Sequence, residues 1–351
     1  MVALDIVHAS NARLRELGPG LVALFVGGTS GVGEFTLKAF VKHSDSPRVY
    51  LVGRSETAAG RIIKECEGLN RDGKVEFIKA DVSELAEVDR ACKVIQQKEK
   101  TINLLFQTPG NSNMRGRDES PEGLDRKQSL SFWARMRFIS NLLPQLRSAS
   151  NDSPNFARSV SLLGAGNSYG TIDLRDIELK NSFSAYKNAA HTIIMNDFMA
   201  EQYGAREPGI TFIHTEPSIV DTGFARELPL WARVGSKVLT PLLYPFFVGA
   251  DETGERQLFH ATSGMYPPAK PAFSAPFASG VPVPNGLSVL AGANGQVGSG
   301  GYLVSWKGER AKKARLSGMD QEEVSKTIWE KTAEMFRNVE KINEDRRKTA
   351  S

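Results

Sequence analysis

One glycine-rich turn constrains the fold of this chain more than any other feature. The apolar run 21–26 leads directly into the turn GGTSGVG at 27–33, and residues 34–42 have the composition and spacing of a helix. Glycines are needed where a chain turns tightly between a strand and a helix and lets its backbone approach a phosphate. The pattern therefore predicts a strand–turn–helix unit whose helix N-terminus holds a phosphate group.

Short apolar segments alternate with amphipathic segments over the following residues. The predicted strands are 21–26, 48–52, 75–79, 102–106, 158–162 and 210–214. Such runs are typical of strands that are covered on both faces. The alternation predicts an α/β fold, a doubly wound, mostly parallel sheet of the Rossmann type with helices on both faces. Right-handed crossovers bring the carboxyl ends of the strands to one edge, where ligands bind.

The pattern becomes irregular after the sixth predicted strand. Prolines and glycines are dense between 267 and 301, so 231–300 is predicted to be a loop-rich extension that covers the site as a lid and supplies an apolar wall. A last strand is predicted at 302–306 and a C-terminal helix at 320–346. Because no repeat or second core is visible, residues 1–351 are predicted to form a single domain.

Composition excludes several classes of protein. The 44 basic and 40 acidic residues are spread along the chain, which argues against a nucleic-acid partner. Charged residues and prolines interrupt the most apolar stretch, 231–250, so no transmembrane segment is predicted. Cys66 and Cys92 lack the spacing of metal ligands and are predicted to be buried free thiols, and no metal site is expected. Together with an N-terminus unlike a secretory signal, these cysteines predict a cytoplasmic protein.

The residue that follows the second predicted strand indicates which dinucleotide binds. NAD-specific sites place a carboxylate there to bind the ribose 2′-hydroxyl. This chain has Arg54, between Gly53 and Ser55. Because the planar guanidinium of Arg54 can pair with a 2′-phosphate, the sequence predicts NADP(H) as the cofactor.

In their order and spacing, these motifs resemble the short-chain dehydrogenase/reductase family over roughly 22–222. The family has a TGxxxGxG turn after the first strand, an acidic residue after the third, NNAG after the fourth and PGxVxT after the sixth. The third and fourth motifs correspond here to Asp81 with Val82 and to the sequence TPG at 108–110. The long C-terminal part is similar to a divergent fungal branch, which implies a role in secondary metabolism.

The resemblance implies which residues hold the cofactor. The pyrophosphate side is implied to lie against Gly27, Thr29, Ser30, Gly31, Val32 and Gly33. Asp81 and Val82 are implied to contact the adenine, and Gly110 the ribose side. Pro217, Val220 and Thr222 belong to the motif that contacts the nicotinamide carboxamide, and Lys187 is implied to bind the nicotinamide ribose.

The family's proton donor is missing from this chain. The serine that follows the fifth strand aligns with Gly164, and the tyrosine of YxxxK aligns with Phe183, although Lys187 is retained. The asparagine that completes the family's set aligns near Ser131, and the closest asparagine in the sequence is Asn141. Reduction of a carbonyl requires a donor, because the developing alkoxide must be stabilised and protonated.

Several polar residues are candidates to replace that donor. We select Lys187, Tyr186 and Tyr169 as candidate catalytic residues, with Ser168 as a further hydroxyl near the fifth strand. His191 and His214 are further candidates. Each has a structural alternative: Tyr186 packs on its helix, Tyr169 lies in a loop, and the histidines are hydrogen-bonded in the interior.

Two functions remain open from the sequence. The first is an NADP(H)-dependent oxidoreductase acting on a carbonyl or a conjugated double bond of a small apolar metabolite. The second is an NADP-binding protein that has lost hydride chemistry and serves as a non-redox cyclase, an isomerase or a binding protein, as Gly164 and Phe183 would allow. A homo-oligomer is the assembly that the family resemblance implies.

Overall fold

A computed structural model describes residues 1–110, 116–167, 170–218, 220, 248–271, 277–314 and 316–350. In this part of the chain, seven strands form one sheet in the order β3-β2-β1-β4-β5-β6-β7, and every pairing is parallel. The strands are β1 (Val22–Val26), β2 (Arg48–Gly53), β3 (Lys74–Lys79), β4 (Leu104–Gln107), β5 (Arg158–Leu162), β6 (Thr211–Thr215) and β7 (Gly301–Val304). The predicted doubly wound α/β fold is confirmed.

Helices cover both faces of the sheet. They are α1 (Leu4–Ala12), α2 (Gly31–His43), α3 (Glu56–Leu69), α4 (Leu85–Lys98), α5 (Arg126–Gln128), α6 (Ala134–Asn151), α7 (Ala185–Arg206), α8 (Ala250–Thr262) and α9 (Gln321–Ala350). A short 3-10 turn, Leu14–Leu17, follows α1. A π-helical segment, Ser129–Trp133, joins α5 to α6.

Alternate residues of the central strand β1 belong to two separate apolar cores. Leu24 and Val26 pack on the face covered by α4, α6, α7 and α9. Phe25 packs on the other face, with α1, α2 and α8. Because both faces are covered, β1 is apolar throughout rather than alternating.

The segment 231–300 is partly helical, contrary to the loop expected there. Residues 231–247 and 272–276 lie outside the described part of the chain. Within the described part, Ala250–Thr262 forms α8, which buries Leu258 and Phe259 in the core shared with α1 and α2. The prolines that suggested a loop begin at Pro267, after this helix has ended, and Asp251 and Glu252 favour its N-terminus.

The two cysteines are free and buried, as predicted. Burial raises the pKa of the Cys66 and Cys92 thiols to about 12, which makes both thiols unreactive near neutral pH. Of the helices in the described ranges, none is both long enough and apolar enough to cross a bilayer.

Glu255 connects α8 to α1 and α2. One of its carboxylate oxygens accepts a hydrogen bond from Asn11 Nδ2 at 2.7 Å, and the other lies 2.9 Å from His43 Nε2 and 3.1 Å from Lys42 Nζ. Burial alone would raise the pKa of this carboxyl. The hydrogen bonds from His43 and Asn11 outweigh burial and lower the pKa to about 2.

We expect Glu255→Gln to remove part of the protein's sensitivity to acid. The pKa of Glu255 is lower in the folded chain than its ordinary value of 4.5, so its ionised form stabilises the fold above about pH 4.5. This contribution is lost as the pH falls from about 4.5 towards 2. In urea unfolding, wild type and Glu255→Gln should differ more at pH 7 than at pH 3, whereas Glu67→Gln, at an exposed site on α3, should change little at either pH. A Glu255→Gln difference that stays constant with pH would contradict this prediction.

Candidate active site

The glycine-rich turn packs against the end of β4. Gly27 and Gly31 have φ of 81° and 59°, in the left-handed region that favours glycine. A Cβ added to Gly27 would lie 2.7 Å from Pro109 N, and one added to Gly33 would lie 2.5 Å from Thr108 Oγ1. Side chains at these positions are therefore excluded by neighbouring atoms, and glycine lets the turn pack directly against the end of β4.

The N-terminus of α2 suits an anion. Ser30 is the N-cap residue of α2, and its side chain makes no capping hydrogen bond, so it satisfies none of the first-turn N–H groups. Glu34, in the same turn, is neutralised by hydrogen bonds from Arg61 and Lys38. The turn and the helix N-terminus together fit the pyrophosphate of a dinucleotide.

The end of β2 contacts the same turn. A Cβ on Gly53 would lie 2.7 Å from Thr29 Cγ2, so the chain after β2 passes next to the turn. Arg54 follows, is exposed, and forms no ion pair with any residue in the described ranges. Ser55 then caps α3 by accepting a hydrogen bond from Ala58 N at 3.2 Å. The Arg54 side chain thus starts beside the predicted phosphate site.

Other predicted contacts lie at the ends of neighbouring strands. Asp81 is half-buried after β3, where one carboxylate oxygen accepts a hydrogen bond from Ser83 N, and Val82 is buried. Gly110 is exposed two residues after Thr108. Pro217 and Val220 are half-buried after β6. Thr222, Tyr169 and Ser168 lie outside the described residues.

The start of α7 carries the remaining candidates. Phe183 is half-buried just before the helix, and the Ser184 hydroxyl caps the helix by accepting a hydrogen bond from Lys187 N at 3.1 Å. Lys187 is exposed. Tyr186 is 61% exposed, and a Cβ on Gly170 would lie 3.7 Å from its hydroxyl oxygen.

A buried polar network lies beneath the carboxyl edge of the sheet. Gln107, Ser161 and His214 are neighbours in register on β4, β5 and β6. The Ser161 hydroxyl donates to Asn196 Oδ1 at 3.0 Å and accepts from Arg135 at 2.7 Å. Neither end of the fully buried Gln107 amide has a hydrogen-bond partner in the described structure.

Arg135 joins two strand ends. Its guanidinium donates to the carbonyl oxygens of Pro109 at 2.7 Å and Leu162 at 2.8 Å, as well as to Ser161. Its Nε donates to the carbonyl oxygen of Leu130 at 3.0 Å. Burial lowers the pKa of Arg135 to about 9, so the side chain remains a cation at neutral pH.

Comparison with known proteins identifies the relatives of this chain. The model of the short chain dehydrogenase family matches residues 21–153. An oxidoreductase of Emericella nidulans is 39% identical over 96% of this chain and 98% of its own length. The chain belongs to the short-chain dehydrogenase/reductase family.

Two further similarities agree with this assignment. A short-chain dehydrogenase/reductase of Stachybotrys chartarum is 27% identical over 98% of this chain and 99% of its own length. A solved active-site complex of RhlG from Pseudomonas aeruginosa with NADP has a TM-score of 0.51 and 16% identity, covering 76% of this chain and 96% of that chain. The chain is an oxidoreductase-type member of the family, and the family supports a nicotinamide cofactor.

The two candidate histidines, His191 and His214, form hydrogen bonds within the fold. His214 Nδ1 lies 2.6 Å from Asp197 Oδ1, and its Nε2 accepts a hydrogen bond from Gly164 N at 3.3 Å. Burial raises the pKa of Asp197 more than its hydrogen bond with His214 lowers it. His191 is buried and accepts a hydrogen bond from Asp173 N at 3.1 Å. Both histidines therefore have structural partners, which favours the structural alternative over a role as proton donor.

The helical face that carries Arg135 was missed by the sequence analysis. Lys127 and Arg135 are buried charged residues in a segment that also buries Leu130, Phe132 and Trp133. Charged residues in a segment with this many apolar residues indicate that the charges are buried and have polar partners on other elements. An asparagine from a different helix lies beside Ser131, the residue that aligns with the family's asparagine. Asn196 on α7 donates a hydrogen bond to the Ser131 carbonyl oxygen at 2.9 Å.

Proposed function

We propose that this chain is an NADP(H)-dependent oxidoreductase acting on a carbonyl or a conjugated double bond of a small apolar metabolite. The observation that supports the choice of NADP(H) is the close approach of Gly53 to Thr29, since Arg54, the next residue, then starts beside the glycine-rich turn. An exposed guanidinium at this position suits a 2′-phosphate, and no described carboxylate pairs with it.

The residues present fit such a cofactor. The turn and the start of α2 would hold the pyrophosphate through backbone N–H groups, because the Ser30 side chain does not cap the first turn of the helix. Asp81, Val82 and Gly110 would border the adenosine, and Lys187, Pro217, Val220 and Thr222 the nicotinamide half. When bound, the nicotinamide supplies or accepts a hydride at a substrate carbon. The chain itself must orient that carbon and move the proton.

A small apolar metabolite is the proposed substrate. The relatives from Emericella nidulans and Stachybotrys chartarum support oxidoreductase chemistry, and the metabolite substrate and the secondary-metabolic role are part of this proposal. An apolar wall supplied from 231–300, a cytoplasmic location and a homo-oligomeric state are proposed from the sequence and the family alone.

Arg54→Ala should remove most of the preference for NADP(H) over NAD(H). A charge-assisted contact to the 2′-phosphate is worth about 1 to 3 kcal/mol, with the lower part of this range more suitable for an exposed pair. Fluorescence titration with NADPH and NADH measures both affinities. Arg71→Ala, at an exposed arginine just before β3, is the matched control and should leave both affinities unchanged.

Equal affinity of the native protein for NADPH and NADH would overturn the cofactor assignment. The redox assignment is tested separately, by following NADPH oxidation with a panel of apolar ketones, aldehydes and enones. Conversion of a substrate without any change in NADPH would support the non-redox alternative instead.

A further inference from the structure

The family position of the proton donor holds a side chain that cannot donate. Phe183 has no hydroxyl, and Tyr186, three residues later, is largely exposed. His191 and His214 already have hydrogen-bond partners within the fold. A donor near Phe183 is therefore to be sought on an element packed against it.

Lys127 contacts Phe183 from α5. Its Nζ lies 5.3 Å from the centroid of the Phe183 ring, at the distance of a cation–π contact. The residue is only 4% exposed, and its Nζ is 3.5 Å from the carbonyl oxygen of Gly116. An ammonium group is thus held over the ring that occupies the place of the family's tyrosine.

The backbone around Lys127 is fixed by Asp125. This residue is the N-cap of α5, and its carboxylate accepts hydrogen bonds from Gln128 N and Asp118 N, both at 2.9 Å. Lys127 precedes the π-helical segment Ser129–Trp133, which leads to Arg135 near the start of α6. Arg135 holds the ends of β4 and β5, so the chain that follows Lys127 packs against the carboxyl edge of the sheet.

The surroundings of Lys127 favour release of a proton. Burial lowers the pKa of the Lys127 ammonium, while the nearby carboxylates of Asp125 and Asp118 act in the opposite direction without outweighing burial. General acids are most effective when their pKa lies near the working pH. Because its pKa is lowered, Lys127 is a better acid than an ordinary surface lysine.

We propose that Lys127 is the proton donor for the carbonyl oxygen of the substrate, acting from the face of Phe183. This inference rests on the proposed reductase function. During reduction, a hydride adds to the carbonyl carbon and the C=O π pair moves onto oxygen. That oxygen takes a proton from Lys127 Nζ, the N–H bonding pair stays on nitrogen as a neutral amine, and the amine then regains a proton from solvent. The reverse sequence applies to alcohol oxidation.

The first test replaces Lys127 in the full chain. Lys127→Met keeps the length of the side chain but removes the proton, so kcat for NADPH-dependent ketone reduction should fall by about 10²- to 10⁴-fold. NADPH affinity should remain within about twofold, since the cofactor contacts are elsewhere. Lys127→Arg keeps the charge but does not release a proton at working pH, so its kcat should fall as well. Lys64→Met, at an exposed lysine on α3, removes an ammonium group away from the site and should keep the native rate.

A restoring variant separates loss of the donor from loss of structure. Phe183→Tyr in the Lys127→Met background places the family's hydroxyl at this position and should recover at least tenfold of the lost rate. If the double variant has a melting temperature near that of the native protein but recovers no rate, the loss in Lys127→Met is not the loss of a proton donor, and the proposed role of Lys127 is wrong.

A measurement without cofactor or turnover gives an independent readout. After reductive methylation with ¹³C-formaldehyde, the NMR signal that is absent in Lys127→Arg should titrate at lower pH than the signals of exposed lysines. If it titrates together with them, or if Lys127→Met or Lys127→Arg reduces ketones at the native rate, the inference is overturned. A native protein that binds NADPH but reduces nothing on the panel would instead overturn the reductase function itself, and this inference with it.

Discussion

Arg135→Met should lower the free energy of unfolding by about 3 kcal/mol and also weaken nucleotide binding. The substitution leaves the buried carbonyl oxygens of Pro109, Leu162 and Leu130 without their donor. A buried acceptor left unpaired costs roughly 1 to 3 kcal/mol, and relief from burying a cation offsets part of the total. Because Pro109 packs against the turn at Gly27, its displacement should reach the cofactor site.

The matched control is another buried arginine, Arg158, which lies at the amino-terminal ends of the strands. Arg158 begins β5 and donates to four carbonyl oxygens, including those of His260 and Tyr266, at 2.8 to 3.1 Å. Arg158→Met should cost a similar amount of stability. Measured where both variants are folded, the affinity for NADPH should fall for Arg135→Met and stay native for Arg158→Met. Equal affinities in the two variants would show that Arg135 has a structural role alone.

The sequence predicted the elements whose local pattern is complete within a few residues. The strand predicted at 158–162 is observed at Arg158–Leu162, and the one predicted at 302–306 is observed as Gly301–Val304. Apolar runs bounded by turns identify buried strands regardless of what packs on them. The family was also predictable, because its motifs follow the strand ends in order.

Features that depend on distant partners were not predictable in this way. Gln107, Ser161 and His214 are separate in sequence, and parallel register alone makes them neighbours. From the sequence, Lys127 and Arg135 could be exposed charged residues. Their burial is visible only once α5 and α6 are packed in the fold. Helix α8 was missed because the prolines that follow it dominate the composition of that region.

Gly33→Ala should weaken NADPH binding by about 10- to 100-fold. Alanine has the higher helix propensity, by about 1 kcal/mol, and Gly33 lies in the first turn of α2, so propensity alone would favour the change. The contacts oppose it, because the new Cβ would lie 2.5 Å from Thr108 Oγ1 and 2.9 Å from Gly28 Cα. Overpacking of this kind costs typically 1 to 3 kcal/mol, and one of the two neighbours is backbone that cannot rotate away.

A second helical glycine provides the control for this prediction. Gly60 lies within α3, and a Cβ there would meet nothing within 4 Å. Gly60→Ala should therefore stabilise the protein by about 0.5 to 1 kcal/mol and leave NADPH affinity unchanged. Adding Thr108→Ala to Gly33→Ala removes the hydroxyl contact but not the contact with Gly28, so NADPH affinity should recover only in part. Full recovery would mean that the hydroxyl alone excludes a side chain at position 33, and native affinity in Gly33→Ala itself would mean that the turn does not carry the phosphate site.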